Sequence, residues 1–169
     1  MKIIEAMKKI KHLEEKTGDL SEKIKMHCAD MDFENPVYSN QKEIVSGWIQ
    51  SHNDVVKEIS RLKYCLHKTN VMVEIPIIIN GKSITKSIDE WIHRRHIGIN
   101  LEKRAWQSLT DKNLKDQQIL QSSGDIKLIK IRRYYDPKER DEYLSLLNEE
   151  PSIIDGTLEI ANATIDLME

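Results

Sequence analysis

Apolar positions recur in steps of three and four from the start of the chain: Ile3, Ala6, Ile10, Leu13, Thr17, Leu20, Ile24, His27 and Met31 trace one stripe. The alternation keeps these side chains on one helical face and predicts an amphipathic helix about four heptads long. Gly18 lies within it, but one helical glycine costs only about 1 kcal/mol, which a long seam absorbs. Asp30 to Asn40, containing Asn35-Pro36, reads as a connection. A second stripe continues on the same step: Val45, Trp48, His52, Val55, Ile59, Leu62, Leu66 and Thr69. Two long helices joined by a short connection predict an antiparallel hairpin. Such a hairpin has little interior, so other helices or other subunits must cover its remaining apolar edges.

The period then changes. Val71 to Ile79 is apolar and β-branched, Asn80-Gly81 comes next, and Lys82 to Lys86 is a second short run. Asn-Gly between two such runs predicts a β-hairpin, because both turn positions need positive φ. Pro76 has no N–H to donate and places the first strand at an edge or a bulge. Ser87-Ile88-Asp89-Glu90 has the spacing of a capping box and predicts a third helix whose inward positions are Ile88, Ile92, Arg95, Ile99, Glu102, Trp106 and Leu109. Gln121 to Gly124 breaks that helix, Asp125 to Tyr135 reads as a third strand, and Asp136-Pro137 starts a last helix. Its face runs through Tyr143, Leu147, Ile154, Leu158, Ala161, Ile165 and Met168, with Pro151 and Gly156 predicting either a kink near Glu150 or two shorter helices. The expected fold is mainly α with a minor β part (α+β). It is one elongated helical domain over residues 1–169, built on the N-terminal hairpin, with two further helices and a small antiparallel sheet near 72–86 and 126–134.

Composition narrows the classes. Charged residues make up 32% of the 169 positions and apolar ones 39%, too polar for a membrane protein and too periodic for disorder. With 26 basic and 28 acidic residues the net charge is −2, so no global electrostatic footprint for duplex nucleic acid exists. Cys28 and Cys65 both fall in predicted helices and form no C-x-x-C, which predicts reduced core thiols and neither a disulfide nor a zinc site. No run of 18 apolar residues occurs, and Met1 to Ala6 is already amphipathic, so the expected setting is a cytoplasm with no membrane partner.

Several stretches, in order along the chain, resemble the small bacterial septicolysin family. Met1 to Ala6 is similar to its opening helix, Lys68-Thr69-Asn70 to its Arg-Thr-Asn element, and Ser87 to Arg95 to its Thr-Leu-Thr-Asp-Ala-Leu-x-Arg-Arg stretch. Ala161 to Leu167 resembles its Ala-Asn-Trp-Thr-Thr-Glu-Leu ending. The resemblance covers essentially the whole chain and implies a helical fold without an established activity. Two departures matter: His96 stands where the family pattern suggests aspartate, and Ala163 replaces its tryptophan. The family name implies a cytolysin, but no stretch resembles a pore-forming segment.

Arg94 and Arg95 are the sharpest chemical feature. With the helix phase set by the capping box, Arg95 lies on the buried stripe, where a guanidinium that cannot lose its charge must find a partner. That partner is either a carboxylate, such as Glu102 or an acid of another helix, or a bound anion held by the planar fork. Arg132 and Arg133, preceded by Lys127 and Lys130 and followed by Tyr134 and Tyr135, are either a solvated strand end or a second basic group with stacking faces. Thr69 and Asn70 close the second helix, with Asn70 as a left-handed cap or the pair as ligand hydrogen-bonders. His93 and His96 lack a third metal ligand at telling spacing, and His27 and His52 read as polar layers on the seams.

No catalytic signature occurs, so an enzyme is disfavoured and neither cofactor nor metal is expected. The leading expectation is a homo-oligomeric, non-enzymatic protein that sequesters a small anionic, nucleotide-type ligand through Arg94, Arg95, Arg132, Arg133, Thr69 and Asn70. The alternative is a helical scaffold or inhibitor acting on another protein.

Overall fold

The computed structural model describes residues 1–120 and 126–169. In chain order these form α1 (Ile3–His27), α2 (Gln41–Met72), β1 (Glu74–Ile79), β2 (Lys82–Ser87), α3 (Ile88–His93), a π-turn (Arg94–Gly98), α4 (Ile99–Gln107), β3 (Gln117–Leu120), β4 (Ile126–Ile129) and α5 (Pro137–Thr164). The fold is mainly α with two small antiparallel sheets, β1 with β2 and β3 with β4. No helix among the described residues is long and apolar enough to cross a membrane.

Contacts divide the chain into two compact units. The first comprises Met1–Ile75, Ser87–Asp89 and Leu158–Glu169. Its basis is the predicted hairpin: every seam position of α1 from Ile3 to His27 is buried or half-buried while the residues between them face solvent. The α2 seam is likewise buried or half-buried from Val45 to Thr69, with Cys65 joining it and Glu58 and Lys68 half-buried beside it. Ala6 and Ile10 pack with Leu62 and Cys65. At the other end of the hairpin the His27 ring sits 5.5 Å from Trp48 and 5.4 Å edge-on from Tyr38, so the helices run antiparallel and His27 is a polar layer. The chain ends are tied together: Ile3 N–H donates to the Ile165 carbonyl at 3.1 Å, Leu167 N–H to the Met1 carbonyl at 2.7 Å, and Lys2 Nζ meets Asp166 at 2.8 Å. Leu167 thereby enters the hairpin core.

Three expectations in this unit are corrected. Cys28 is exposed just past α1 and only Cys65 is a core thiol. Asn70 is not a left-handed cap: the helix runs on to Met72 and leaves through Val73 in extended backbone, whose N–H closes the last turn on the Thr69 carbonyl. The first strand therefore begins at Glu74 rather than Val71.

The second unit comprises Pro76–Lys86 and Glu90–Thr157. Asn80 (φ 52°) and Gly81 (φ 74°) both adopt the left-handed region, so the predicted Asn-Gly turn joins β1 to β2. Asp136 caps α5 as expected, its carboxylate accepting from Lys138 N–H at 2.8 Å. α5 continues through Pro151 as one helix. The long third helix, in contrast, is broken into α3, π-turn and α4 and ends at Gln107, well before the predicted break at Gln121–Gly124, which lies outside the described residues. The Ser108 hydroxyl turns back onto the Arg104 carbonyl at 2.9 Å, and Lys112 and Asn113 take positive φ, reversing the chain. Gln117–Leu120 then forms an unpredicted strand, in register Gln117 to Ile129 and Leu120 to Ile126. The segment near 126–134 thus pairs with β3, and the single three-segment sheet expected from sequence is two separate ones.

The hairpin's electrostatics yield an acid-sensitivity prediction. Glu58 accepts from Arg61 at 2.9 Å and from Lys9 of α1 at 2.8 Å, and these partners, Arg61 first, lower its pKa from 4.5 to about 2. A depressed carboxylate stabilises the fold above its unfolded pKa and ceases to do so as pH falls through the folded value. Glu58→Gln is expected to unfold at lower urea than wild type at pH 6, the difference closing as pH drops from 4.5 towards about 2; urea midpoints by circular dichroism across that range check it.

Candidate functional site

The predicted arginines go to different places. Arg94 lies in the second unit on the inward side of the π-turn, its side chain 20% accessible. Its Nε and Nη2 donate to the two oxygens of Glu150 at 2.7 and 2.9 Å. Its Nη1 and Nη2 clasp Glu102 in the same bidentate manner. Glu150 is buried between Leu147 and Ile154 on the inward stripe of α5, so it depends on this guanidinium for its compensation. The two glutamates raise the pKa of Arg94 further, and the Arg94 hydrogen bonds lower that of Glu102. Tyr143, stacked on Trp106 at 4.4 Å, donates to Glu102 at 3.4 Å; burial, then the nearby carboxylate, push its hydroxyl pKa up.

The phase expected for this helix is corrected. Trp91 rather than Ile92 is fully buried, and Arg94 rather than Arg95 is the more enclosed arginine. The inward stripe passes Ile88, Trp91 and Arg94 and then takes a five-residue step to Ile99, whose N–H bonds the Arg94 carbonyl. A π-turn inserts one residue and rotates the helix before it relative to the helix after it. Gly98 gives Arg94 its room: a Cβ there would lie 3.3 Å from Arg94 Cδ. Arg95 forms a bidentate pair with Asp155 at 2.8 Å.

Around Arg94 lies a hollow of about 260 Å³, with Ile84, Trp91 and Leu147 as apolar wall and Lys86, Arg94, Glu102 and Glu150 as its charges. Two cations against two anions leave it neutral. Lys86 itself rests over the Trp91 ring at 5.4 Å. This site has the mixed lining of a binding pocket, but four of the five N–H groups of Arg94 are already used by its own glutamates.

Arg132 and Arg133 line a different hollow in the same unit, about 310 Å³, between the end of α4 and the segment after β4. Its charged lining is Lys112, Arg132 and Arg133 against Asp111 alone, an excess of two positive charges in a chain whose total is −2. Ser108 and Thr110 add hydroxyls, and Tyr134 and Tyr135 add rings. Asp111 takes Arg133 Nε and Nη2 at 2.7 and 2.6 Å and Tyr135 Oη at 3.0 Å, which together hold its pKa down and that of Arg133 up. The outer nitrogen Nη1 of Arg133 is not part of that fork, and Arg132 is exposed with no hydrogen bond among the described residues.

No protein family, curated protein or solved structure matches the chain. Thr69 and Asn70 belong to the first unit, not to either hollow. Thr69 is fully buried, donating to the Cys65 carbonyl at 2.7 Å and accepting Met168 N–H at 2.8 Å, so its hydroxyl anchors the C-terminal segment. Asn70 Oδ1 is buried without a partner among the described residues. Among those residues no three His, Cys, Asp or Glu side chains gather as a metal site requires.

Sequence reasoning missed Glu150, Asp155, Asp111 and Lys86. For Glu150 the signal was present: the α5 stripe skips from Leu147 to Ile154, and the inward position between them is that acid.

Removing Arg94 strands a buried carboxylate, whereas Asp155, 48% accessible, is rehydrated when Arg95 is lost. Arg94→Ala is expected to lower unfolding free energy by about 3 kcal/mol, measured by urea denaturation. Arg95→Ala is expected to stay far closer to wild type.

Proposed function

We propose that the chain binds a small anionic ligand of nucleotide type in the hollow formed by Lys112, Arg132, Arg133, Tyr134 and Tyr135, capturing it without converting it. The observation that carries this reading is the local charge: three cations face one carboxylate there, while the hollow at Arg94 is neutral. Arginine forks suit phosphate oxygens, hydroxyls supply further donors, and tyrosine rings offer faces on which a base stacks. The other arginines predicted for the site, Arg94 and Arg95, serve to hold α5 against the helices before it. The resemblance to the septicolysin family adds a helical fold and no activity to this proposal. A nucleotide-binding role fits a cytoplasmic setting, where such ligands reside.

A ligand at one hundred times its Kd stabilises the folded state by about 2.7 kcal/mol. A thermal-shift series with nucleoside mono- and diphosphates, cyclic nucleotides and inorganic phosphate is expected to raise Tm for wild type. Arg132→Ala is expected to keep the unliganded Tm and lose the ligand-dependent rise, whereas Arg95→Ala keeps it. If none of these compounds moves the wild-type transition, the proposal fails.

A further inference from the structure

α1 covers one face of α2, and α2 carries a second seam. Ile49, Asn53, Val56, Ser60, Tyr64, His67 and Val71 keep the same three-four step along a different side of the helix, and every one of them is exposed. Its apolar members are all solvent-facing: Ile49 is 46% accessible, Val56 43%, Tyr64 67% and Val71 45%. All six charged residues between positions 49 and 71 fall off this stripe. Each is already engaged within its own chain: Asp54 with Lys57, Glu58 with Arg61 and Lys9, Lys63 with Glu14, and Lys68 with the Glu169 carbonyl. A partner seated on the stripe therefore meets five of these six charges already paired within their own chain.

The order of residues names the partner. Counted outward from Ser60, the stripe is symmetric in spacing and in chemistry: Val56 and Tyr64 lie four residues either side, Asn53 and His67 seven, Ile49 and Val71 eleven. An antiparallel copy of the same helix with its two-fold axis at Ser60 sets Val56 against Tyr64, Ile49 against Val71 and the polar Asn53 against His67. Small Ser60 meets itself where the backbones approach most closely. This self-complementarity is what an isologous interface requires, and a parallel copy would instead stack Asn53 on Asn53 and Tyr64 on Tyr64. The stripe is about 33 Å long, as 22 helical steps give, and two copies together contribute eight apolar side chains to it.

We propose that this face of α2 is a two-fold interface with a second, antiparallel copy of the chain. The inference stands apart from the ligand proposal, since it uses only α2 and its partners in the first unit.

Light scattering is expected to give twice the 19.8 kDa chain mass. Val56→Lys and Tyr64→Lys, both solvent-facing changes, are expected to halve that mass with unchanged helical circular dichroism. Orientation is read by disulfide trapping in a Cys28→Ser background, because Cys28 is the exposed thiol. Ser60→Cys is expected to cross-link two chains. Asn53→Cys is expected not to, since antiparallel pairing sets its copies about 21 Å apart along the axis, beyond disulfide reach. A single-chain mass for wild type overturns the proposal, as does a dimer that survives Val56→Lys. Equal trapping at both positions, the signature of a parallel pair, also overturns it, and so does a dimer that Ser60→Cys fails to trap.

Discussion

The second unit depends on one constraint: the guanidinium of Arg94 cannot give up its charge in a largely enclosed position. It sits where α3 gives way to the π-turn, and two carboxylates converge on it, Glu102 from α4 and Glu150 from α5. Glu150 is itself buried. Neither charge is tolerable without the other, since each has lost most of its water and the interior offers little screening. The pair therefore fixes the position of α5 relative to the π-turn, and Tyr143 stacked on Trp106 completes the network from α5 and α4. The irregular backbone belongs to this arrangement: the extra residue of the π-turn and the absence of a side chain at Gly98 let Arg94 face inward.

That network also bears on function. An arginine whose donors are committed to its own glutamates is a poor receptor for an outside anion, because binding would have to displace bidentate bonds already made. Around the adjacent pair Arg132 and Arg133 cations outnumber carboxylates: Arg133 is itself forked onto Asp111, but Arg132 makes no hydrogen bond among the described residues. Two sequence doublets of the same composition thus have different surroundings, one balanced by the fold's own carboxylates and one in a local excess of cations.

The first unit is governed by burial along a seam rather than by charge. α1 and α2 are each long enough to carry an uninterrupted stripe, and the chain ends add Leu167 to it through backbone bonds at Met1 and Ile3. Surface ion pairs between the helices, such as Lys63 with Glu14, flank that seam and contribute modestly.

The periodic parts of this protein were legible from the residues alone. Step-of-three-and-four spacing found both long helices and almost every seam residue, and Asn80-Gly81 and Asp136-Pro137 marked their turn and helix start, because these signals depend on local backbone geometry and on which face each residue occupies. Asn70 and the strand at Gln117–Leu120 were misread for a related reason: helix ends and short strands are decided by which distant backbone groups come within reach. For the charged side chains only the kind of partner was legible: a carboxylate of the same or another helix was expected for Arg95, which does meet Asp155 of α5, while Glu102 pairs with Arg94 instead. Arg94 meets Glu150 across 56 steps of sequence, and Arg133 meets Asp111 across 22. A one-residue π insertion that no local pattern announces decides which of two adjacent arginines faces in. The sequence by itself determined where the apolar faces lie, since burial tracks helical period; only the tertiary structure decided which charges are consumed within the fold, since electrostatic pairing depends on distance in space and not along the chain.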